Sequence, residues 1–234
     1  MLSRNSLLLI PGFFLITGLI SCADEDYKTS KQVKPEEIFL DYRISGDEEG
    51  GLVTVLLQFR AGGPEENTLV LEAPAKVEFD GHPLESDRVK LSGVVYEAHM
   101  AALDFPGKHT IVFTSPEGKT YQEDIDFNLL TISQPVPDTI SREDLIIHFD
   151  GLDSTNLLRV IINDTSFFSN GIDRTDTVRN GELLVSGNDL LILKNGPCYF
   201  EFIRESVRKP RQLPGRGGRI WKSYSLRRTV HLQD

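Results

Sequence analysis

Residues 110–127 read TIVFTSPEGKTYQEDIDF. Ile111 and Phe113 alternate with Thr110 and Thr114, and Tyr121, Ile125 and Phe127 alternate with Gln122, Asp124 and Asp126. Between them, Ser115-Pro116-Glu117-Gly118-Lys119 carries the residues that turn a chain. A period of two on both sides of a Pro/Gly turn predicts an antiparallel hairpin with one apolar face. No long segment of period 3.6 competes with it, so the chain is read as all-β.

The same pattern extends upstream. Glu37 to Ile44 is predicted as a strand, and Val53, Val55, Leu57 and Phe59 alternate on one face of a second. Leu69 to Leu71, Lys76 to Phe79 and Val94 to Met100 follow, with a turn at Asp80-Gly81. About six or seven short strands in residues 36–132 predict a small antiparallel sandwich. The polar, proline-bearing segment 133–138 (Ser133-Gln134-Pro135-Val136-Pro137-Asp138) is read as a short linker.

Residues 139–234 predict a second sandwich. Leu145, Ile147 and Phe149 share one strand face, as do Leu158, Val160 and Ile162. Glu182 to Val185 is a strand that leads into one short helical turn, with Ser186 or Asn188 as its cap. The last hairpin follows Asn195-Gly196-Pro197. Cys198, Phe200 and Phe202 share one face of its first strand. On its second, Ile220, Tyr224, Leu226, Val230 and Leu232 share a face, with Trp221, Ser223, Ser225, Arg227, Thr229 and His231 opposite. The fold class expected is two tandem antiparallel β-sandwiches of the immunoglobulin-like or fibronectin-III-like kind.

Charge divides the chain. Of a net −10, residues 23–133 carry −12 and residues 134–234 carry +1, with Arg4 supplying the remainder. The acidic half argues against nucleic acid as a partner. From Arg204 to Arg228 there are nine basic residues against a single acid, Glu205. The connection 205–219 reads as a loop of about fifteen residues, longer than the two to five usual in a hairpin. Trp221, the only tryptophan, falls on the outward face by alternation. An outward Trp221 with Arg219, Arg227, Arg216 and Arg211 offers a stacking surface and guanidiniums for an anionic glycan or an acidic partner. Two other readings of the same residues stand beside this one: docking of the basic stretch on the acidic half, and a solvated loop without a ligand.

No catalytic constellation is present. The five histidines show no metal-ligand spacing, and the Asp150, Asp153, Asp173 and Asp176 group matches no calcium loop, so no metal and no cofactor are expected. Cys198 reads as a buried, inert thiol. The expectation is a binding or interaction module rather than an enzyme, with a structural subunit of an envelope complex as the alternative.

The first residues say where the protein is expected to live. Arg4, an apolar stretch from Leu7 to Ile20 and Ser21 precede Cys22. This stretch is too short and wrongly flanked for a spanning helix, and it reads as a signal peptide over residues 1–21. Leu19-Ile20-Ser21-Cys22 resembles the recognition site of the lipoprotein signal peptidase. That resemblance implies a diacylglyceryl group on Cys22 Sγ and membrane attachment through lipid. Ala23-Asp24-Glu25-Asp26 resembles the export signal of surface-displayed lipoproteins of the Bacteroidetes, and residues 22–35 read as an acidic, flexible tether. Together with the tandem sandwiches, these features resemble outer-membrane lipoproteins of Bacteroidetes, some of which belong to glycan-capture systems. The resemblance implies an outer-membrane location, at the cell surface or on the periplasmic side. Asp138-Thr139-Ile140, Asp153-Ser154-Thr155 and Asp176-Thr177-Val178 fit the O-glycosylation pattern of that group, which would place sugar on Thr139, Ser154 and Thr177.

Overall fold

The computed structural model describes residues 27–152, 157–166 and 171–234. The signal segment, Cys22, the Asp24–Asp26 run and Ser154 lie outside these residues. The first half forms β1 (Tyr27–Thr29), β2 (Ile38–Asp47), β3 (Leu52–Ala61), β4 (Thr68–Val70), β5 (Lys76–Phe79), β6 (His82–Pro83), β7 (Ser86–Val89), β8 (Gly93–Ala101), β9 (Gly107–Thr114) and β10 (Thr120–Phe127). The second forms β11 (Thr131–Ile132), β12 (Thr139–Ile140), β13 (Leu145–Asp150), β14 (Leu157–Asp164), β15 (Ile172–Thr177), β16 (Glu182–Val185), the single-turn helix α1 (Gly187–Leu190), β17 (Gly196–Arg208) and β18 (Gly217–Leu232). The fold is all-β.

One sheet runs through both halves, in the order β1-β4-β3-β2-β18-β17-β14-β15, with β7, β8 and β12 attached to it. Its centre is β18. Along residues 220–232 it pairs antiparallel with β17, and along residues 217–225 it pairs in parallel with Phe39–Asp47 of β2. Two smaller sheets, β10-β9-β5-β6 and β11-β13-β16, lie side by side on one face of the large one. Ring contacts place both there. Phe59 of β3 meets Phe113 of β9, Tyr224 of β18 meets Phe127 of β10, and Phe202 of β17 meets Phe149 of β13. The two sandwiches thus share a sheet, and their buried residues form one core from Ile38 to Leu232.

Alternation explains this arrangement. In β18, Ile220, Tyr224, Leu226, Val230 and Leu232 are all buried, as the period of two requires for a sheet with one solvated face. Cys198 lies with Phe200 and Phe202 on the inner face of β17, fully buried, and burial pushes its thiol pKa up. Ser186 caps α1: the Asp189 amide donates to its Oγ, and the Ser186 amide donates to Asp189 Oδ2. The opposite, outward face of the large sheet carries the polar residues, Trp221 and Tyr199.

Two expectations change. Residues 27–35, read as part of a flexible tether, are structured: β1 pairs in parallel with β4, Ser30 is buried, and Arg88 lies over the Tyr27 ring at 4.3 Å. Tyr27 and Val33 reach the core, and that apolar contact is what a tether lacks. The connection read as residues 205–219 is shorter. β17 continues to Arg208 and β18 begins at Gly217, because Glu205 to Arg208 find ladder partners in Ile220 to Ser223.

Candidate functional site

The basic stretch folds back on the acidic half. Connection 209–216 lies against β10 and Glu36: the Arg211 amide donates to Glu123 Oε2 at 2.6 Å, and the Arg216 amide donates to the Glu36 carbonyl at 2.8 Å. The Gln122 amide donates to Gln212 Oε1. Glu123 is buried with its Oε1 2.6 Å from Arg208 Nη1. Lys222 donates to the Asp126 carbonyl, and Arg228 is paired with Glu48. Around the connection, Arg208, Lys222 and Arg228 thus face a carboxylate or carbonyl of the first half, whereas Arg211 and Arg216 are held through their backbone amides. These contacts set part of a basic stretch of net +8 against the acidic half of net −12.

What remains outward is a smaller constellation at the junction of β2 and β18. Ladder pairing sets Arg43, Trp221 and Val207 in one row across three strands, and alternation points all three to the open face. With Arg219 they line a shallow cavity of about 300 Å³. The Val207 side is largely exposed at 66 %, and Trp221 is half-buried. Beneath them lies Asp41, fully buried and surrounded by three guanidiniums. Arg219 binds it through Nε at 2.8 Å and Nη2 at 2.9 Å, Arg43 Nη2 lies at 3.2 Å, and Arg60 Nε at 3.6 Å. Burial pushes the Asp41 carboxyl up, but the hydrogen bonds and charges of Arg219 and Arg43 outweigh it and hold the pKa below the usual carboxylate value. The Arg219 pKa is raised, first by its hydrogen bond to Asp41.

One carboxylate thus orients three cations, a local net of +2. Arg60 is further fixed by donating to Gln58 Oε1 at 2.6 Å. Arg219 Nη1 and the Nε and Nη1 of Arg43 make no hydrogen bond to protein among the described residues. These are donors held in place beside an aromatic plane, with their orienting cost already met within the fold.

The other site residues read from the sequence are dispersed. Arg227 lies further along β18, held by Glu201 at 3.1 Å and Glu49 at 3.4 Å. The side chains of Arg211 and Arg216 are exposed and form no ion pair among the described residues. Thr139 and Thr177 are exposed, in β12 and at the end of β15. Arg43, Asp41 and Val207 were not singled out by sequence. Alternation alone would have turned Arg43 and Val207 outward, but their approach to Trp221 depends on the parallel ladder. Among the described residues no group of His, Cys, Asp and Glu is arranged to hold a metal ion.

No family model matches the chain, and no curated protein matches its sequence. Among solved structures, the fibronectin(III)-like modules of Clostridium thermocellum CbhA are similar at 12% identity and a TM-score of 0.23, covering 83% of this chain and 94% of that one. SGBP-B of the Bacteroides ovatus mixed-linkage glucan utilization locus, in complex with a mixed-linkage heptasaccharide, is similar at 11% identity and a TM-score of 0.24. That match covers 78% of this chain and 53% of SGBP-B, so the chain spans about half of that protein's length. At these scores neither likeness bears on function.

Proposed function

We propose that this protein is a lipid-anchored module of the bacterial outer membrane that binds an anionic glycan on the open face of its large sheet. The observation that carries this reading is the Arg43–Trp221–Val207 row with Arg219 beside it. The indole and Val207 give an apolar surface for the face of a sugar ring, while Arg43 and Arg219 hold donors for a carboxylate or sulfate on that ring. Asp41 keeps both guanidiniums from moving away, so little freedom is lost on binding.

Trp221 is the only tryptophan, so its fluorescence reads this site alone. Titration with acidic polysaccharides (hyaluronan, polygalacturonate, alginate, chondroitin sulfate) is expected to change its emission, and neutral xyloglucan is expected to leave it unchanged. Trp221→Val keeps a good strand former and removes the aromatic plane. It is expected to weaken retention in gels containing the acidic polysaccharide about tenfold or more, near 1.4 kcal/mol, with the thermal midpoint little changed. Retention equal to the parent protein would sink the reading. Co-purification of an envelope protein without retention by any acidic polysaccharide would favour the assembly-subunit alternative.

The anchor has its own test. One acyl chain binds a bilayer only marginally, whereas the two or three expected on Cys22 hold firmly. Cys22→Ala is expected to move the protein from the membrane to the soluble fraction of fractionated cells. Unchanged membrane association of that variant would refute attachment through Cys22.

A further inference from the structure

A second aromatic side chain stands on the same open face. Tyr199 of β17 is 52 % exposed and pairs with Thr229 of β18. Val207, the ladder partner of Trp221, lies eight residues further along β17. Tyr199 and Trp221 are therefore about 27 Å apart along the hairpin, at a strand rise of ~3.4 Å per residue. Around Tyr199 a cavity of about 400 Å³ is lined by Glu49, Asn163, Glu201, Arg227 and Thr229. Arg227 fixes both carboxylates, Glu201 at 3.1 Å and Glu49 at 3.4 Å.

The two cavities differ in charge. The one at Trp221 presents Arg43 and Arg219, whereas the one at Tyr199 presents two carboxylates around a single guanidinium, with an amide and a hydroxyl. Immobilised carboxylates accept from vicinal hydroxyls and repel an acidic ring, so this second cavity suits a neutral sugar. Between them on the same face of β18 are Ser223, which is buried, and Ser225, paired on β17 with Glu205 and Ile203. The two serines carry small side chains, so the bulk of this stretch comes from Ile203 and Glu205 on the neighbouring strand.

We infer that the open face of the β17–β18 hairpin is one extended binding groove for a linear glycan that carries both acidic and neutral rings, an acidic ring at Trp221 and a neutral one at Tyr199. This rests on the reading of Trp221 given above and adds to it a second contact point and a minimum ligand length of several rings.

The test uses the whole mature chain and hyaluronan fragments, which alternate a uronic acid with a neutral N-acetylhexosamine, together with size-matched oligogalacturonides, in which every ring is acidic. Dissociation constants are read by Trp221 fluorescence and by calorimetry. The decasaccharide of hyaluronan is expected to bind at least tenfold more tightly than its tetrasaccharide and than the decamer of galacturonate. Tyr199→Ala is expected to remove the length dependence, leaving tetrasaccharide binding within twofold of the parent. Asn163→Ala, on the exposed face of β14, is expected to act in the same direction to a lesser degree. If decasaccharide binding is lost with Trp221→Val but untouched by Tyr199→Ala and Asn163→Ala, the extended groove is overturned and the Trp221 site stands. Equal affinity for short and long fragments also overturns the groove. If no fragment binds the parent protein and no acidic polysaccharide retains it, both readings fall.

Discussion

Asp41→Asn is expected to lower the free energy of unfolding by about 3 kcal/mol, the lower end of what breaking a buried ion pair costs. The carboxylate is fully buried, while the side chains of Arg219 and Arg43 are 35% and 43% exposed, so solvent recovers part of the loss. Asn keeps the shape and one acceptor. It removes the charge that holds Arg43, Arg60 and Arg219 together, and it leaves three cations facing one another. Because Asp41 sits on β2 and Arg219 on β18 as ladder partners, the damage falls on the parallel seam that joins the two sandwiches. The pH dependence has a defined sign. Asp41 titrates below its ordinary value in the folded chain and near 3.9 when unfolded. Its contribution is therefore complete well above about pH 4 and fades as pH falls through the folded-state value. Urea unfolding at pH 7 should separate parent and variant by the full difference, and the two should converge below about pH 4. A difference under about 1 kcal/mol at pH 7 would mean that the three guanidiniums gain little from Asp41.

The seam also marks where sequence ceased to inform. The hairpin of β9 and β10, the buried faces of β3, β14 and β18, and the Ser186 cap are all local. Each is written in a period or a cap spacing, and each is found where the pattern puts it. The parallel pairing of β2 with β18 joins residues such as Asp41 and Arg219, 178 positions apart, and neither strand carries a mark of its partner. The same reason hid the Arg43–Trp221–Val207 row: each outward direction was legible, but the neighbourhood was not. β15 escaped for a different cause. Its Asp173-Arg174-Thr175-Asp176 run has almost no apolar signal, because it is an edge strand held by ion pairs. Arg159 joins it to β14 through Asp173, and Arg174 binds Asp176 within the strand and Asp189 of α1. Asp173 and Asp176 are thus strand residues paired with arginines. The connection after β17 is shorter than its sequence suggests for a related reason. Strand ends that carry Arg208 and Arg219 look like loop until Glu123 and Asp41 are placed beside them.

Arg204→Met is expected to cost about as much as the Asp41 change, roughly 3 kcal/mol, with the carbonyls it leaves unmet as one source of the loss. Arg204 points inward from β17 and is only 7 % exposed. Its guanidinium donates through Nη2 to the Asn128 carbonyl, just past β10, and through Nη1 to the Gly151 carbonyl, just past β13. Its charge also lies 5.6 Å from the centre of the Phe127 ring. A planar fork can reach both carbonyls at once, which neither a methionine nor a single ammonium does as well. The backbone here allows no relief. Gly151 has φ of +75°, and a Cβ at that position would stand 1.7 Å from the Leu129 carbonyl oxygen, so the 128–130 segment and Gly151 are pressed together with the arginine as their shared donor. Methionine fills the space and leaves two carbonyls dry. The local consequence should exceed the global one: amides of residues 128–151 are expected to exchange faster, because the clasp between the end of β10 and β13 is what has been removed. Arg204→Lys should restore less than half of the lost stability, since it supplies charge without the fork. Denaturant unfolding with residue-resolved exchange decides the matter. A loss below about 1 kcal/mol, or exchange that rises uniformly along the chain, would show that Arg204 does not clasp these two segments.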